Sequence, residues 1–114
     1  MHEYSLVEAL VGRVEQEARR RNAIAVHRLS VRVGELAGVD AELFQTAYET
    51  FRAGTICADA PLTVTRVAAS WSCPVCKARI PRGGVLRCAA CDTPARLDEG
   101  GDALMLDGID MEVP

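Results

Sequence analysis

The chain has 114 residues, 49% hydrophobic and 25% charged, the size of one globular domain or of one domain with a small appendage. Thirteen basic against sixteen acidic residues give a net charge of −3, which argues against a general nucleic-acid or membrane-surface binder, since both need a basic excess. No apolar run approaches the ~18 residues of a membrane span. Met1-His2-Glu3-Tyr4-Ser5 does not open a secretory signal, so a cytoplasmic protein with five reduced cysteines is expected.

In chain order, Ser5 and Glu8 form an S-x-x-E capping box, which predicts a helix start at Ser5. Leu6, Val7, Leu10, Val11, Val14 and Ala18 follow at three- and four-residue spacing, one apolar stripe. Arg19, Arg20 and Arg21 suit the negative end of the helix dipole, and Asn22 is the expected stop. Leu29, Val31 and Val33 then alternate with Arg28, Ser30 and Arg32, a half-buried strand. His27 shares their parity and reads as a half-buried edge residue. Gly34 and Gly38 bracket a loop. Asp40 is placed to cap a second helix carrying Leu43, Phe44, Ala47, Tyr48 and Phe51 and ending at Gly54.

Cys57 stands alone and reads as a small buried hydrophobe, with a reactive or metal-relaying thiol as the alternative. Pro61 precedes a second strand, about 62–68. The last strand, about 103–113, changes parity between Leu106 and Ile109, so a bulge at Gly108 is expected; the alternative is an edge strand whose Asp107 faces solvent. The fold class is α+β: two helices packed on one face of a three-stranded sheet, with a small cysteine module inserted before the last strand. Charge marks that module. Residues 73–96 carry Lys77, Arg79, Arg82, Arg87 and Arg96 against Asp92 alone, and residues 97–114 carry six acids and no base. The expected division is 1–70 with 98–114 as one domain and 71–97 as the other.

The strongest chemical signal is Cys73-x2-Cys76-x11-Cys88-x2-Cys91. Two C-x-x-C turns bring four thiolates to one point, the donor set of a tetrahedral zinc site. Four protein ligands leave no open position, so the zinc is expected to be structural. A module this small has almost no core, and zinc binding, worth roughly 10–16 kcal/mol in small zinc peptides, holds it together. A redox pair of dithiols is the alternative. Lys77, Arg79, Arg82 and Arg87 read as solvated surface, with an acidic protein partner or nucleic acid as alternatives. No interleaved aromatics accompany them for base stacking.

The second signal is Met1-His2-Glu3. A terminal amine, an amide nitrogen and the His2 imidazole can chelate one metal in fused rings, and square-planar nitrogen donors suit Ni(II) or Cu(II). Glu3 is next to them and can add or orient a ligand. An exposed His on a frayed end is the plain alternative.

Met1-His2-Glu3-Tyr4-Ser5-Leu6, Val33-Gly34-Glu35-Leu36 through Asp40, Gly54-Thr55 and the paired C-x-x-C together resemble the HypA/HybF family of hydrogenase nickel-incorporation proteins, in the same order over essentially the whole chain. The resemblance implies a nickel-binding α+β domain carrying a zinc domain. It implies a metallochaperone, not an enzyme, that holds Ni(II) as transient cargo for the large subunit of a [NiFe] hydrogenase. Its implied partners are a maturation GTPase, that large subunit and, since some members serve urease, urease-maturation proteins; nucleic acid and membrane are not among them. Carried over, the nickel site falls on His2, with Met1 and Glu3 beside it and Asp40 contributing, and the zinc site on Cys73, Cys76, Cys88 and Cys91. Two departures stand out. Lys77 and Asp92 follow the cysteine pairs where the family often has Gly, and the zinc loop contains no His. Two other classes of function stay open on the residues alone: a zinc-ribbon protein- or nucleic-acid-binding module without nickel function, and a thiol redox enzyme.

Overall fold

The computed structural model describes residues 2–114. Helix α1 spans His2–Arg20, α2 Ala41–Phe51, and the long strands are β1 Ala25–Gly34, β2 Leu62–Val67 and β8 Leu104–Glu112. Five two-residue strands lie between β2 and β8: β3 Trp71–Ser72, β4 Arg79–Ile80, β5 Arg87–Cys88, β6 Thr93–Pro94 and β7 Arg96–Leu97.

The main sheet has the order β2-β1-β8 and is mixed. β1 and β2 run parallel, which requires a crossover, and α2 supplies it. β8 returns antiparallel to β1. The helices lay their apolar faces on this sheet. Val7, Leu10, Val11 and Val14 of α1 join Phe44 and Tyr48 of α2, Val26, Leu29 and Val31 of β1, and Leu62 of β2 in one buried cluster. Cys57 is fully buried in it, as its isolation suggested. Burial pushes its thiol up, away from the reactive thiolate.

α1 begins at His2, so Ser5 sits inside the helix rather than at its cap. Tertiary contacts account for the extra turn. The Glu3 carboxylate accepts the Asp40 N–H at 3.1 Å, and Tyr4 meets Phe51 edge to face at 5.4 Å. The far end stops as expected. Asn22 is left-handed at φ 54°, Ala23 N–H donates to Ala18 O and Asn22 N–H to Arg19 O, the paired bonds of a Schellman cap.

The β1–β8 ladder carries two irregularities. Ser30 faces Gly108 while Val31 faces Leu106, which leaves Asp107 unmatched: the bulge that the parity change demanded. Asp107 pairs with Arg32 at 3.3 Å. The second lies between Val26 and Arg28 and corrects the reading of His27. The extra residue shifts the parity, Val26 takes the buried position, and His27 is exposed with Nε2 2.9 Å from Glu112 Oε1.

Gly34 closes β1 for a steric reason. A Cβ there would overlap the backbone carbonyls of Gly100 and Gly101. The Gly34 N–H donates to Ala103 O and the Leu36 N–H to Gly101 O, which holds the two backbones in contact. Gly34→Ala is expected to destabilise the fold by about 2 kcal/mol or more, because backbone cannot yield as a side chain can. Urea unfolding followed by far-UV circular dichroism measures it, and a loss below a few tenths of a kcal/mol would refute the close-approach account.

Candidate metal centres

Each cysteine pair sits in a tight turn between short strands. Cys73 and Cys76 join β3 to β4, where the Lys77 N–H donates to Cys73 O and the Cys73 N–H to Ala78 O. Cys88 ends β5 and Cys91 lies in the turn to β6. Lys77 (φ 66°) and Asp92 (φ 50°) are both left-handed. This explains why glycine suits the position after each pair. Each residue here recovers part of the cost through its side chain. Lys77 Nζ donates to Pro74 O at 3.2 Å, and the Asp92 carboxylate accepts from Arg87 Nε at 2.8 Å.

The four sulfurs lie within 4.8 Å of one another. Cys76 and Cys88 Sγ are 3.8 Å apart. A tetrahedron with arms of ~2.3 Å has edges of about 3.8 Å, so the donors already stand at metal-binding spacing. The N–H groups of Cys76 and Val75 point at Cys73 Sγ and hold that thiol down at about 6. Cys91 is pushed up to about 12 by the neighbouring Cys76 sulfur, by burial and by the other two sulfurs. Four sulfurs this close repel as thiolates, and a cation between them removes the conflict. Around them is a minimal core of Cys73, Ile80 and Cys88, with Trp71, Cys91 and Ala95 half-buried against it.

The N-terminal candidates come together differently. Glu3 and Asp40 are 37 residues apart in sequence and meet directly through the Glu3 Oε2 to Asp40 N–H bond. That N–H is the first cause of a lowered Glu3 pKa, which keeps the side chain a carboxylate. Asp40 caps α2 as expected, its Oδ1 accepting the Leu43 N–H at 3.1 Å. His2 immediately precedes Glu3 in the first turn of α1 and is exposed. The first four N–H groups of a helix have no partner within it, so ligation by the His2 amide nitrogen breaks no bond of the α1 ladder. Met1 lies outside the described residues.

A contact that residue spacing does not reveal ties the cysteine module to the end of β1. Arg82, taken as solvated surface, places Nη1 2.7 Å and Nη2 3.0 Å from the two carboxylate oxygens of Glu35, a bidentate pair. Its guanidinium lies 5.5 Å over the Trp71 ring and also donates to Ala69 O, while Glu35 Oε1 accepts the Ala69 N–H. Arg82 and the Ala69 N–H hold the Glu35 carboxyl down at about 2, below its ordinary 4.5. The pair therefore stabilises the fold above pH 4.5 and weakens only as the pH falls toward 2. Arg87 is likewise paired, with Asp92, rather than free. Asp98 accepts the hydroxyls of Ser70 (2.5 Å) and Ser72 (2.6 Å), which ties the chain entering the cysteine module to the chain leaving it.

Comparison with known proteins gives a consistent picture. The family described as "Hydrogenase/urease nickel incorporation, metallochaperone, hypA" matches residues 1–111. A hydrogenase maturation factor HypA of Shewanella oneidensis is 34% identical over 113 residues, 98% of this chain and 96% of that one. Its counterpart in Wolinella succinogenes is 32% identical over 114 residues, with the same shares. The solution structure of the Ni metallochaperone HypA from Helicobacter pylori superposes with a TM-score of 0.72 at 27% identity, covering 98% of each chain. A second solution structure of a HypA protein gives 0.79 at 28% identity, covering 100% of this chain and 98% of that one.

Proposed function

The chain belongs to the HypA family of hydrogenase/urease nickel-incorporation metallochaperones, and on that premise we propose that it binds Ni(II) at its N-terminus and helps insert it into the large subunit of a [NiFe] hydrogenase. The observation that carries this reading is the Glu3–Asp40 contact, which joins two oxygen-bearing candidates from distant parts of the chain, one of them next to His2 in sequence. In it the Met1 amine, the His2 amide nitrogen and the His2 imidazole chelate the ion. Glu3 and Asp40 supply or orient the rest of its sphere.

Cys73, Cys76, Cys88 and Cys91 hold a structural Zn(II), favoured over nickel by four soft thiolates in a tetrahedral array. Residues 1–70 with 98–114 form the nickel-binding domain, and residues 71–97 the zinc-binding domain. The zinc supplies folding energy, and the chain's own residues handle the cargo.

Delivery needs an affinity that carries the ion yet releases it. A micromolar site, about −8 kcal/mol, meets both demands. Copper outcompetes nickel at such nitrogen donors by the Irving–Williams order, so selectivity comes from metal supply and from partners. Those partners are the maturation GTPase, the hydrogenase large subunit and, for urease, its maturation proteins, all met in the cytoplasm. Among the described residues no helix is long and apolar enough to cross a membrane.

Calorimetric titration of Ni(II) into untagged, zinc-loaded protein tests the reading. One Ni(II) per chain is expected, with affinity falling in acid because the ligating imidazole must be neutral. An absence of nickel binding would leave a zinc-binding module with some other task.

A further inference from the structure

The segment from Glu35 to Val39 runs from the end of β1 to Asp40, and its first three N–H groups are pinned by backbone carbonyls. The Glu35 N–H donates to Val67 O, the Leu36 N–H to Gly101 O and the Ala37 N–H to Gly34 O, at 2.8, 2.8 and 3.0 Å. At its near end the Glu35 side chain holds the Arg82 fork and the Ala69 N–H. At its far end the Asp40 N–H is delivered to Glu3 and the Asp40 side chain caps α2. Arg82 lies in the loop between the two cysteine pairs, just before the left-handed Gly83. Among the described residues it is the one side chain from 73–97 that hydrogen-bonds to residues before Trp71.

We infer that Arg82 and Glu35 are positioning residues of the nickel site. The pair fixes the segment 35–39, and the segment sets where the Asp40 N–H meets the Glu3 carboxylate. The inference rests on the nickel reading above and deepens it, because the cysteine module then shapes the nickel site with no need to touch the ion.

The physical basis is the dependence of Arg82 on its own module. That module's core is three buried residues, two of them metal-ligand candidates, so its loop geometry stands or falls with the metal. A bidentate Arg–carboxylate pair stacked on an indole has one geometry, which neither a lysine nor a solvated arginine reproduces. When the loop loses that geometry, Glu35 loses its main partner and the segment loses one of its anchors. Coupling of this kind is reciprocal, so bound nickel also favours the clamped loop.

The test uses the full-length, zinc-loaded chain and two readouts. Nickel affinity is measured by calorimetry for wild type, Arg82→Ala, Arg82→Lys and Arg82→Ala combined with Glu35→Ala. The backbone amide shift of Asp40 is followed by NMR in the same proteins without nickel. Arg82→Ala is expected to weaken nickel binding 3- to 10-fold at unchanged zinc content and to move the Asp40 amide, while the Val14 amide stays in place. The double variant should lose no more than the single one, since both remove the same contact. Arg82→Lys should fall between, and it carries the test if the alanine variant loses zinc. An unmoved Asp40 amide or an unchanged affinity overturns the inference. A wild-type chain that binds no nickel overturns the parent reading instead, whereas normal binding in Arg82→Ala sinks this inference alone.

Discussion

Replacing Cys73 by serine is expected to empty the cysteine centre and unfold residues 73–91 while both helices and the main sheet persist. Cys73 is the most deeply buried of the four cysteines and the one whose sulfur receives two backbone N–H groups, so a hydroxyl there removes both a ligand and the anchor of the first turn. The module has little else to fall back on. Ile80 is its one buried side chain apart from cysteine, and its strands are two residues long. Metal binding is therefore most of its folding free energy.

The rest of the chain is held by other means. β8 follows the module in sequence, yet it is paired to β1 along nearly its whole length, and the Ser70–Asp98 and Ser72–Asp98 bonds close the neck. An unfolded insert adds only loop entropy, which grows slowly with length. Metal analysis should fall from one zinc per chain to almost none. The near-ultraviolet signal of Trp71, the single tryptophan, should collapse, and the far-ultraviolet helix signal should remain. Retention of stoichiometric zinc would refute the ligand assignment. Loss of the helices would refute the independence of the main sheet.

His2→Ala should reduce nickel affinity by about 100-fold or more, below calorimetric detection for a micromolar site, and leave zinc content and thermal stability unchanged. In the proposed chelate the imidazole is one of three nitrogen donors in fused rings, so its removal also opens a ring. The side chain is exposed on the first turn of α1 and packs into no core, which is why stability should not move. The proposed site is also less free than a loose terminus. α1 reaches His2, and Glu3 is already held by Asp40, so part of the ordering cost is met before the ion arrives. Calorimetry with the His2→Ala variant beside wild type decides the point: equal nickel affinity in the two would move the site away from the N-terminus.

The paired cysteines, the apolar stripes of both helices apart from the exposed Leu43, the Asp40 cap and the bulge beside Gly108 were all legible in the sequence. Each rests on local chemistry: ligand spacing, a 3.6-residue period, a side-chain oxygen three residues before an orphan N–H, a break in a two-residue alternation. The helix start, the exposure of His27 and the pairing of Arg82 were not. The first turn of α1 forms because Glu3 finds Asp40 and Tyr4 finds Phe51, partners from α2 and its cap that no window around Ser5 contains. A bulge at His27 depends on how β8 lies against β1, and its sign is invisible within β1 alone. Gly34 needs its missing Cβ because two carbonyls from residues 100 and 101 press on it.

What the sequence determined by itself was therefore the family, the fold class and the four-cysteine cluster, since these depend on residue types at short spacing. Only the tertiary structure decided how the cysteine module is tied to the end of β1. Glu35 and Arg82 are 47 residues apart, and an arginine in a basic loop looks solvated until the fold sets a carboxylate in front of it. Pairing between distant charges follows from the folded path of the backbone, which local chemistry constrains but does not specify.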